Sequence, residues 1–481
     1  MSEKVGNIAK NTSYFTFALV LQKVISFTYF ALLARFLGPE ILGQYFFAIS
    51  FSTIFGVIID IGIANVLTRE IAKDKESSSR LLSNILVIKI PLMFLAWFLV
   101  FLFVLFLGYS GTLVYLIIFS SLCVALDSFT YTFFAISRGH HNLAFESISS
   151  VLFQLIVMIF GFYFLYNSYN VVFVMGALFL ASVFNFFYSS ILLKRKWKIQ
   201  FFLKPDLNTV KHILIISLPF GLFVAFQRLY MYLDSVLLKI LAGDYYVGLY
   251  QIAFKIIFSL QFLPMAFTAS LYPAMSTYWK NNREQLVKTF ERAFSYLLII
   301  SLPISFGIAF LSKQVILIFS SDYNDAILPL IIIIFSLPFI FLNFPIGSLL
   351  NATDRQKLNT FNMGIALVLG LIMNLILIPR YQAFGASISV LVTNATMFVL
   401  GMFQIPRIIK ISFKKLSLIF AKTVSASLFM SVIVIFLRSS FNIFVVVIFS
   451  AFIYFLLLYF FKGFEKEDIL SIYNSFSKKK K

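Results

Sequence analysis

The sequence predicts an all-α integral membrane protein of about fourteen transmembrane helices, arranged as two pseudo-symmetric six-helix lobes plus two C-terminal helices. Composition, the length of the apolar runs and an internal repeat carry this prediction. Of 481 residues, 61% are hydrophobic and only 12% are charged, and the mean hydropathy is +0.96. A water-soluble domain with that balance would expose large apolar patches. The apolar runs are instead about 20 residues long, which is what a helix needs to cross roughly 30 Å of hydrocarbon.

Fourteen segments fit: 13–34, 41–66, 84–107, 112–136, 146–166, 170–193, 212–238, 247–275, 293–311, 326–350, 359–378, 384–405, 418–437 and 441–461. Glycine, proline or charge separates most of them. The net charge of +20 sits in short loops between apolar runs, which argues for membrane topology and against nucleic acid as a partner. One set of connections is base-rich, holding Lys73, Lys75 and Arg80; Arg138; Lys194, Arg195, Lys196, Lys198 and Lys204; Lys280, Arg283 and Lys288; Arg355 and Lys357; Arg407, Lys410, Lys414 and Lys415. The alternate connections hold about one base each (Arg35, Lys239, Lys313, Arg380, Arg438) or none. Both termini, with Lys4 and Lys10 at one end and Lys478 to Lys481 at the other, fall in the basic set, so both are expected to be cytoplasmic in a multi-pass cytoplasmic (inner) membrane protein. Residues 1–11 lead into a full-length span without a small-residue cleavage pattern, so no cleavable signal is expected.

Several chemistries are disfavoured. Cys123 is the only cysteine, which excludes an intramolecular disulfide and a cysteine-rich metal site, and His140 and His141 read as solvated loop residues. No loop houses a soluble catalytic domain, so the chain is not expected to be an enzyme. A membrane-embedded glycosyltransferase or ligase would need a large outer loop with carboxylates, and Asp322 and Asp325 are the only acidic pair outside.

Internal symmetry is present. Residues 32–48 read LLARFLGPEILGQYFFA and residues 237–253 read LLKILAGDYYVGLYQIA. At an offset of 205, Leu32, Leu33, Gly38, Gly43, Tyr45 and Ala48 match Leu237, Leu238, Gly243, Gly248, Tyr250 and Ala253, and the pair Gln22–Lys23 falls on Gln227–Arg228. Gly176, Ala177 and Asn185 match Gly385, Ala386 and Asn394 at an offset of 209. The repeat predicts a lobe over 1–204, a second over 205–410, and 411–481 as spans 13 and 14 with a basic tail. Gly38 and Gly243 fit tight outer turns, and Gly43 and Gly248 allow close packing of the following helix.

The intramembrane charges are the candidate functional groups. Lys23 lies about 15 Å from the cytoplasmic end of its span, near the midplane and beyond easy snorkelling range. It faces the bundle interior or a wet cavity, or it pairs with Asp60 or Asp234. Arg228 is its repeat partner, and Lys255 either adds a third base or snorkels outward. Gln227, Tyr230 and Asp234 share one helical stripe, and Ser52, Gly56 and Asp60 another, as wet faces would. Asp127 has Ser120 and Tyr131 for company and reads as a local pair or a hydrogen-bonded group. Arg69 and Glu70 form either a gate ion pair or ordinary interface anchors. Pro219, Pro264, Pro303, Pro338 and Pro345 lie within spans 7 to 10, where kinked helices bend or simply pack irregularly.

The helix count, the parallel repeat, the turn ARFLGPEILGQY and the segment IIDIGIANVLTREIA (58–72) together resemble the MOP flippase superfamily, in its polysaccharide-transporter branch of Wzx-type oligosaccharide flippases. The resemblance covers nearly the whole chain. It implies movement of a polyprenyl-diphosphate-linked oligosaccharide across the membrane in O-antigen, capsule, exopolysaccharide or glycan biosynthesis, by rocking of two lobes about a central cavity. Membrane lipids and a polysaccharide polymerase or glycosyltransferase are the implied partners. On this reading Gln22, Lys23, Gln227, Arg228 and Lys255 bind substrate, the bases gripping the diphosphate. Asp60, Asp234, Asn374, Thr393 and Asn394 are candidates for coupling to Na+ or H+, and no other cofactor is expected. Asp234, Asn374, Thr393 and Asn394 resemble the sodium site of lipid II flippases, but this chain lacks a carboxylate on span 11. The alternative is a multidrug or small-molecule cation-coupled antiporter of the same superfamily.

Overall fold

The computed structural model describes residues 2–200 and 205–463, with residues 2–17, 269 and 270 described by their backbone alone. Lys204 and the basic tail Lys478 to Lys481 lie outside the described residues, as do the side chains of Lys4 and Lys10. Among the described residues the chain is helical, with twelve stretches long and apolar enough to cross a membrane. Two of these are broken. Ser2–Asp60 (α1) is interrupted at Gly38, and Gln356–Gln404 (α14) at Gln382. Counting each as two spans gives the expected fourteen, and both breaks fall between the expected segments.

The first break has a simple cause. Gly38 adopts φ 69° and ψ 171°, a region that only glycine enters without strain, and Pro39 follows with its φ already set for a new helix. Gly243 repeats this with φ 101° and ψ 173° between α7 (Leu207–Ala242) and α8 (Asp244–Leu260). A Cβ on Gly38 would meet nothing within 4 Å. Gly38→Ala is therefore expected to cost about 1–3 kcal/mol through backbone strain alone. Thermal unfolding in detergent measures this, and an unchanged midpoint would contradict the turn.

Other boundaries differ from the expected ones. The second span ends at Asp60, not near residue 66. Ile61 (φ 33°) and Gly62 (φ 75°) break the helix, and a short amphipathic helix, α2 (Ile63–Lys73), follows. It buries Ile63, Ala64, Leu67 and Ile71. The break packs against α7: a Cβ on Gly62 would lie 2.6 Å from the Gly221 nitrogen, and one on Gly221 would lie 2.6 Å from Ile61 Cγ2. The expected eighth span divides at Gln261 into α8 and α9 (Phe262–Asn281). The expected tenth divides into α12 (Ile327–Ile334) and α13 (Leu337–Ala352). Pro264 and Pro338 sit in the first turns of α9 and α13, where a missing N–H costs least. Pro219, Pro303 and Pro345 are internal to α7, α10 (Arg283–Phe310) and α13.

The chain forms two compact units, one of residues 1–255 with 367–386, the other of residues 256–366 with 387–481. In the first, α1 packs on α3 (Ser78–Phe106), α4 (Thr112–Gly139), α5 (Ala144–Tyr166) and α7, while α6 (Val171–Trp197) packs on α4 and α5. The linker into α7 is tied down by Asp206, whose carboxylate takes Arg80 Nη2 at 2.8 Å and also the Thr209 hydroxyl. The hydrogen bonds from Thr209 and Arg80 hold that carboxyl below the usual carboxylate range.

In the second unit α10 is central, packed on α9, α12, α13 and α15 (Phe413–Leu437), and α15 packs on α16 (Ile443–Phe460). The short α11 (Ser312–Leu317) follows α10 and meets α12. Glu291 on α10 accepts the Ser412 N–H at 2.8 Å at the start of α15, and Tyr454 on α16 donates to the Ile299 carbonyl at 2.8 Å. The outer faces of α15 and α16 expose Phe429, Phe436, Phe444 and Ile448, as helices bathed in lipid do.

Candidate functional site

Two of the candidate bases of the first unit fall within electrostatic reach of each other. Lys23, in the first segment of α1, is half-buried, as are Gln22 and Lys255. Lys255 on α8 lies with its ammonium 4.7 Å above the Phe46 ring, and it feels the positive charge of Lys23. Two bases are thus brought within electrostatic reach, and the second is Lys255. Arg228, the repeat partner of Lys23, is exposed with Gln227 on α7, within electrostatic reach of Asp127. Asp127 is not served by its expected neighbours. Ser120 donates to the Ala48 carbonyl at 3.1 Å, and Tyr131 stacks under Arg138.

The two acids expected beside Lys23 have other partners. Asp60, at the last turn of α1, is bound by Lys89 of α3, with Nζ 3.0 Å from Oδ1. The Lys89 ammonium also donates to the Ser128 carbonyl at 2.9 Å and to Thr132 Oγ1 at 2.7 Å, and it lies 5.6 Å from the Phe129 ring centroid. Its three N–H donors have three acceptors, and the side chain is wholly buried. The Ser52–Gly56–Asp60 stripe is therefore a packed face rather than a wet one. Ser52 is buried with its hydroxyl on the Ile117 carbonyl, and a Cβ on Gly56 would strike Val124. Sequence reasoning missed Lys89. The available signal was a base well inside an otherwise apolar stretch of α3.

Asp234 is arranged differently. Its Oδ1 accepts Asn374 Nδ2 at 2.6 Å and its Oδ2 accepts the Tyr250 hydroxyl at 3.0 Å. Beside it, Gln251 Nε2 donates to Ser235 Oγ at 2.8 Å, fixing α8 on α7. The Asn374 Oδ1 is buried and has no hydrogen-bond partner among the described residues. A carboxylate, an amide oxygen and a phenol oxygen gathered in a buried place suit a hard cation or a proton. Thr393 and Asn394 belong to the other compact unit and bond to their own helix: Thr393 Oγ1 to the Ser389 carbonyl at 2.8 Å, Asn394 Nδ2 to the Val390 carbonyl at 2.8 Å. Of the expected coupling residues, the fold brings Asp234 and Asn374 together and adds Tyr250. In the sequence Tyr250 stands out only as a position of the repeat.

The Arg69–Glu70 pair is local to α2, where Glu70 also holds Lys73 at 3.0 Å. Burial raises the Glu70 carboxyl, but hydrogen bonds and charge from Lys73 and Arg69 outweigh it and hold the group below its usual range.

The repeat is visible in backbone geometry. A Cβ on Gly43 would collide with the Asp244 carbonyl oxygen, and one on Gly248 would collide with the Pro39 carbonyl oxygen. At the offset of 205, Gly43 corresponds to Gly248 and Pro39 to Asp244, so each contact mirrors the other.

The family model "Polysaccharide biosynthesis protein" matches residues 8–279, and the MatE model matches residues 207–376. The capsular polysaccharide biosynthesis protein CapF of Staphylococcus aureus is 24% identical over 397 residues, 80% of this chain and 96% of CapF. The probable low-salt glycan biosynthesis flippase Agl15 of Haloferax volcanii is 24% identical over 187 residues, 38% of this chain and 40% of Agl15. The structure of the lipid II flippase MurJ in an inward closed conformation superposes with a TM-score of 0.78 at 18% identity, covering 95% of this chain and 99% of MurJ. An inward-facing multidrug MATE transporter superposes at 0.64 with 16% identity, covering 81% and 98%. The chain is a member of the polysaccharide biosynthesis protein family, within the MOP superfamily of membrane transporters.

Proposed function

We propose that this protein is a flippase that carries a polyprenyl-diphosphate-linked oligosaccharide across the cytoplasmic membrane by alternating access of its two six-helix repeats, with both termini cytoplasmic. The observation that carries the reading is that Lys255 on α8 lies within electrostatic reach of Lys23 on α1. Two like charges in a low-dielectric interior repel, and a diphosphate is the anion that relieves them. Gln22 lies next to Lys23, and Arg228 with Gln227 supplies a further base and amide from the second repeat. The glycan would be handed to or from a polymerase or glycosyltransferase, with the chain itself acting as transporter and not as enzyme.

The test is translocation of lipid-linked glycan in cells lacking their native flippase. The Lys23→Gln/Arg228→Gln double variant is expected to lose it, and full activity in that variant would remove the phosphate-binding role. The MATE relationship keeps a cation-coupled antiporter as the second reading, but a cationic cargo fits poorly beside two lysines.

Coupling is assigned to Asp234 with Asn374 and Tyr250, with Na+ or H+ as the ion. Asp234→Asn is expected to uncouple translocation from sodium and pH gradients. Initial rates measured against each gradient check this, and an unchanged dependence would exclude Asp234 from coupling.

A further inference from the structure

The repeat extends to the surroundings of Asp234. There α7 meets α8 through two pairs of residues 16 apart, Asp234 with Tyr250 and Ser235 with Gln251. At the offset of 205 these positions become Tyr29 with Tyr45 and Phe30 with Phe46. The first repeat makes the same two contacts between the two segments of α1. The phenols of Tyr29 and Tyr45 meet, and the Phe30 and Phe46 rings lie edge to face at 5.6 Å. The third wall matches as well. At the offset of 209, Gly370 and Asn374 on α14 correspond to Gly161 and Leu165 on α5. A Cβ on Gly161 would strike the Tyr29 hydroxyl, so α5 closes over Tyr29 where α14 closes over Asp234 with the Asn374 amide. All these residues belong to the first compact unit.

We infer that the first repeat holds a neutral copy of the Asp234 site, and that Tyr29 is the residue that confines cation coupling to the second repeat. This inference deepens the coupling reading of Asp234 and rests on it. A buried cation needs a carboxylate to offset its lost hydration, with neutral oxygens to complete its shell. A proton carrier needs a group that changes charge at working pH. A phenol does neither, because it stays uncharged up to about pH 10. Of the second repeat's oxygens the first keeps the Tyr45 phenol alone: the carboxylate has become Tyr29 and the amide Leu165. Tyr29, Tyr45 and Leu165 are all buried, so the ring and the leucine fill the space that an ion and its ligands would take. The backbone frame is shared, and the side chain at position 29 decides what it can hold.

The test moves the carboxylate from one repeat to the other. Tyr29→Asp/Leu165→Asn is made in the Asp234→Asn background, with Phe30→Asp in the same background as a control acid one residue away. Radioactive sodium bound to purified protein is measured in detergent, and initial rates of lipid-linked glycan transport are measured against sodium and pH gradients. Asp234→Asn is expected to lose cation dependence, and the rebuilt first repeat is expected to regain whichever dependence was lost. The Phe30→Asp control is not expected to regain it. The reverse exchange, Asp234→Tyr/Asn374→Leu, is expected to fold with an unfolding midpoint near the parent's, because the frame of the first repeat already holds that pair. A folded rebuilt variant that stays like Asp234→Asn in both measurements would overturn the inference. If the rebuilt variant does not fold, the reverse exchange decides, and its failure to fold would show that the two pockets are not equivalent. Should the parent and Asp234→Asn themselves behave alike, the coupling reading falls and takes this inference with it, a result distinct from a parent that couples and a first repeat that cannot be made to.

Discussion

Lys89→Met is expected to destabilise the protein by about 3–5 kcal/mol, the largest single-residue effect on stability predicted for this chain. The ammonium is wholly buried and donates to Asp60, Ser128 and Thr132, joining the last turn of the long first helix to α3 and α4. Removing it leaves the Asp60 carboxylate without its counter-charge in a low-dielectric site and takes one donor each from the Ser128 carbonyl and Thr132 Oγ1. Lys89→Arg is not expected to rescue, because a guanidinium is larger than an ammonium and holds its five N–H donors in one plane, where Asp60, Ser128 and Thr132 surround a single point. The Lys89→Met/Asp60→Asn double variant removes both charges and is expected to recover much of the loss. Thermal or denaturant unfolding in detergent provides the measurement. A single variant as stable as the parent would show that the pair is not a structural tie.

Lys23→Gln combined with Lys255→Gln is expected to give the opposite pattern, with lost transport and retained stability. Lys255 lies within the field of Lys23, so removing one of the two relieves repulsion in the empty protein. A charged hydrogen bond to phosphate is worth about 1.5–3 kcal/mol, so each lost base weakens binding of a diphosphate by about 10- to 150-fold. Single variants should therefore raise the substrate concentration needed for half-maximal transport, and the double variant should be nearly inactive at ordinary concentrations. Lys23→Arg should retain transport. Unfolding midpoints measured beside transport rates separate this from a folding defect. A double variant that unfolds earlier and transports normally would reverse the assignment.

The legible parts of the molecule follow from local rules. Gly38 and Gly243 were readable as turns because positive φ requires glycine, and the shared spacing to Gly43 and Gly248 marked the close crossing in advance. The membrane class followed from hydropathy alone. Three features lay beyond such rules. The break at Ile61–Gly62 is set by docking against Gly221 on α7, a contact between residues distant in sequence. Small and polar residues at helical spacing mark a packed face as well as a wet one: Ser52 is buried on the Ile117 carbonyl, Gly56 packs against Val124 and Asp60 is bound by Lys89. The partners of the charges were also non-local. Asp60 took Lys89, and Asp234 gained Tyr250 alongside the expected Asn374.

The most direct measurement is made on purified protein in liposomes carrying a fluorescent polyprenyl-diphosphate oligosaccharide, following how fast the labelled lipid becomes accessible to an impermeant quencher in the opposite leaflet. Protein-dependent crossing is predicted, abolished in Lys23→Gln/Lys255→Gln and much reduced for the monophosphate analogue, with no movement of a cationic dye. Lipid-linked glycan that stays in its leaflet while the dye is exported would contradict the account and identify an antiporter.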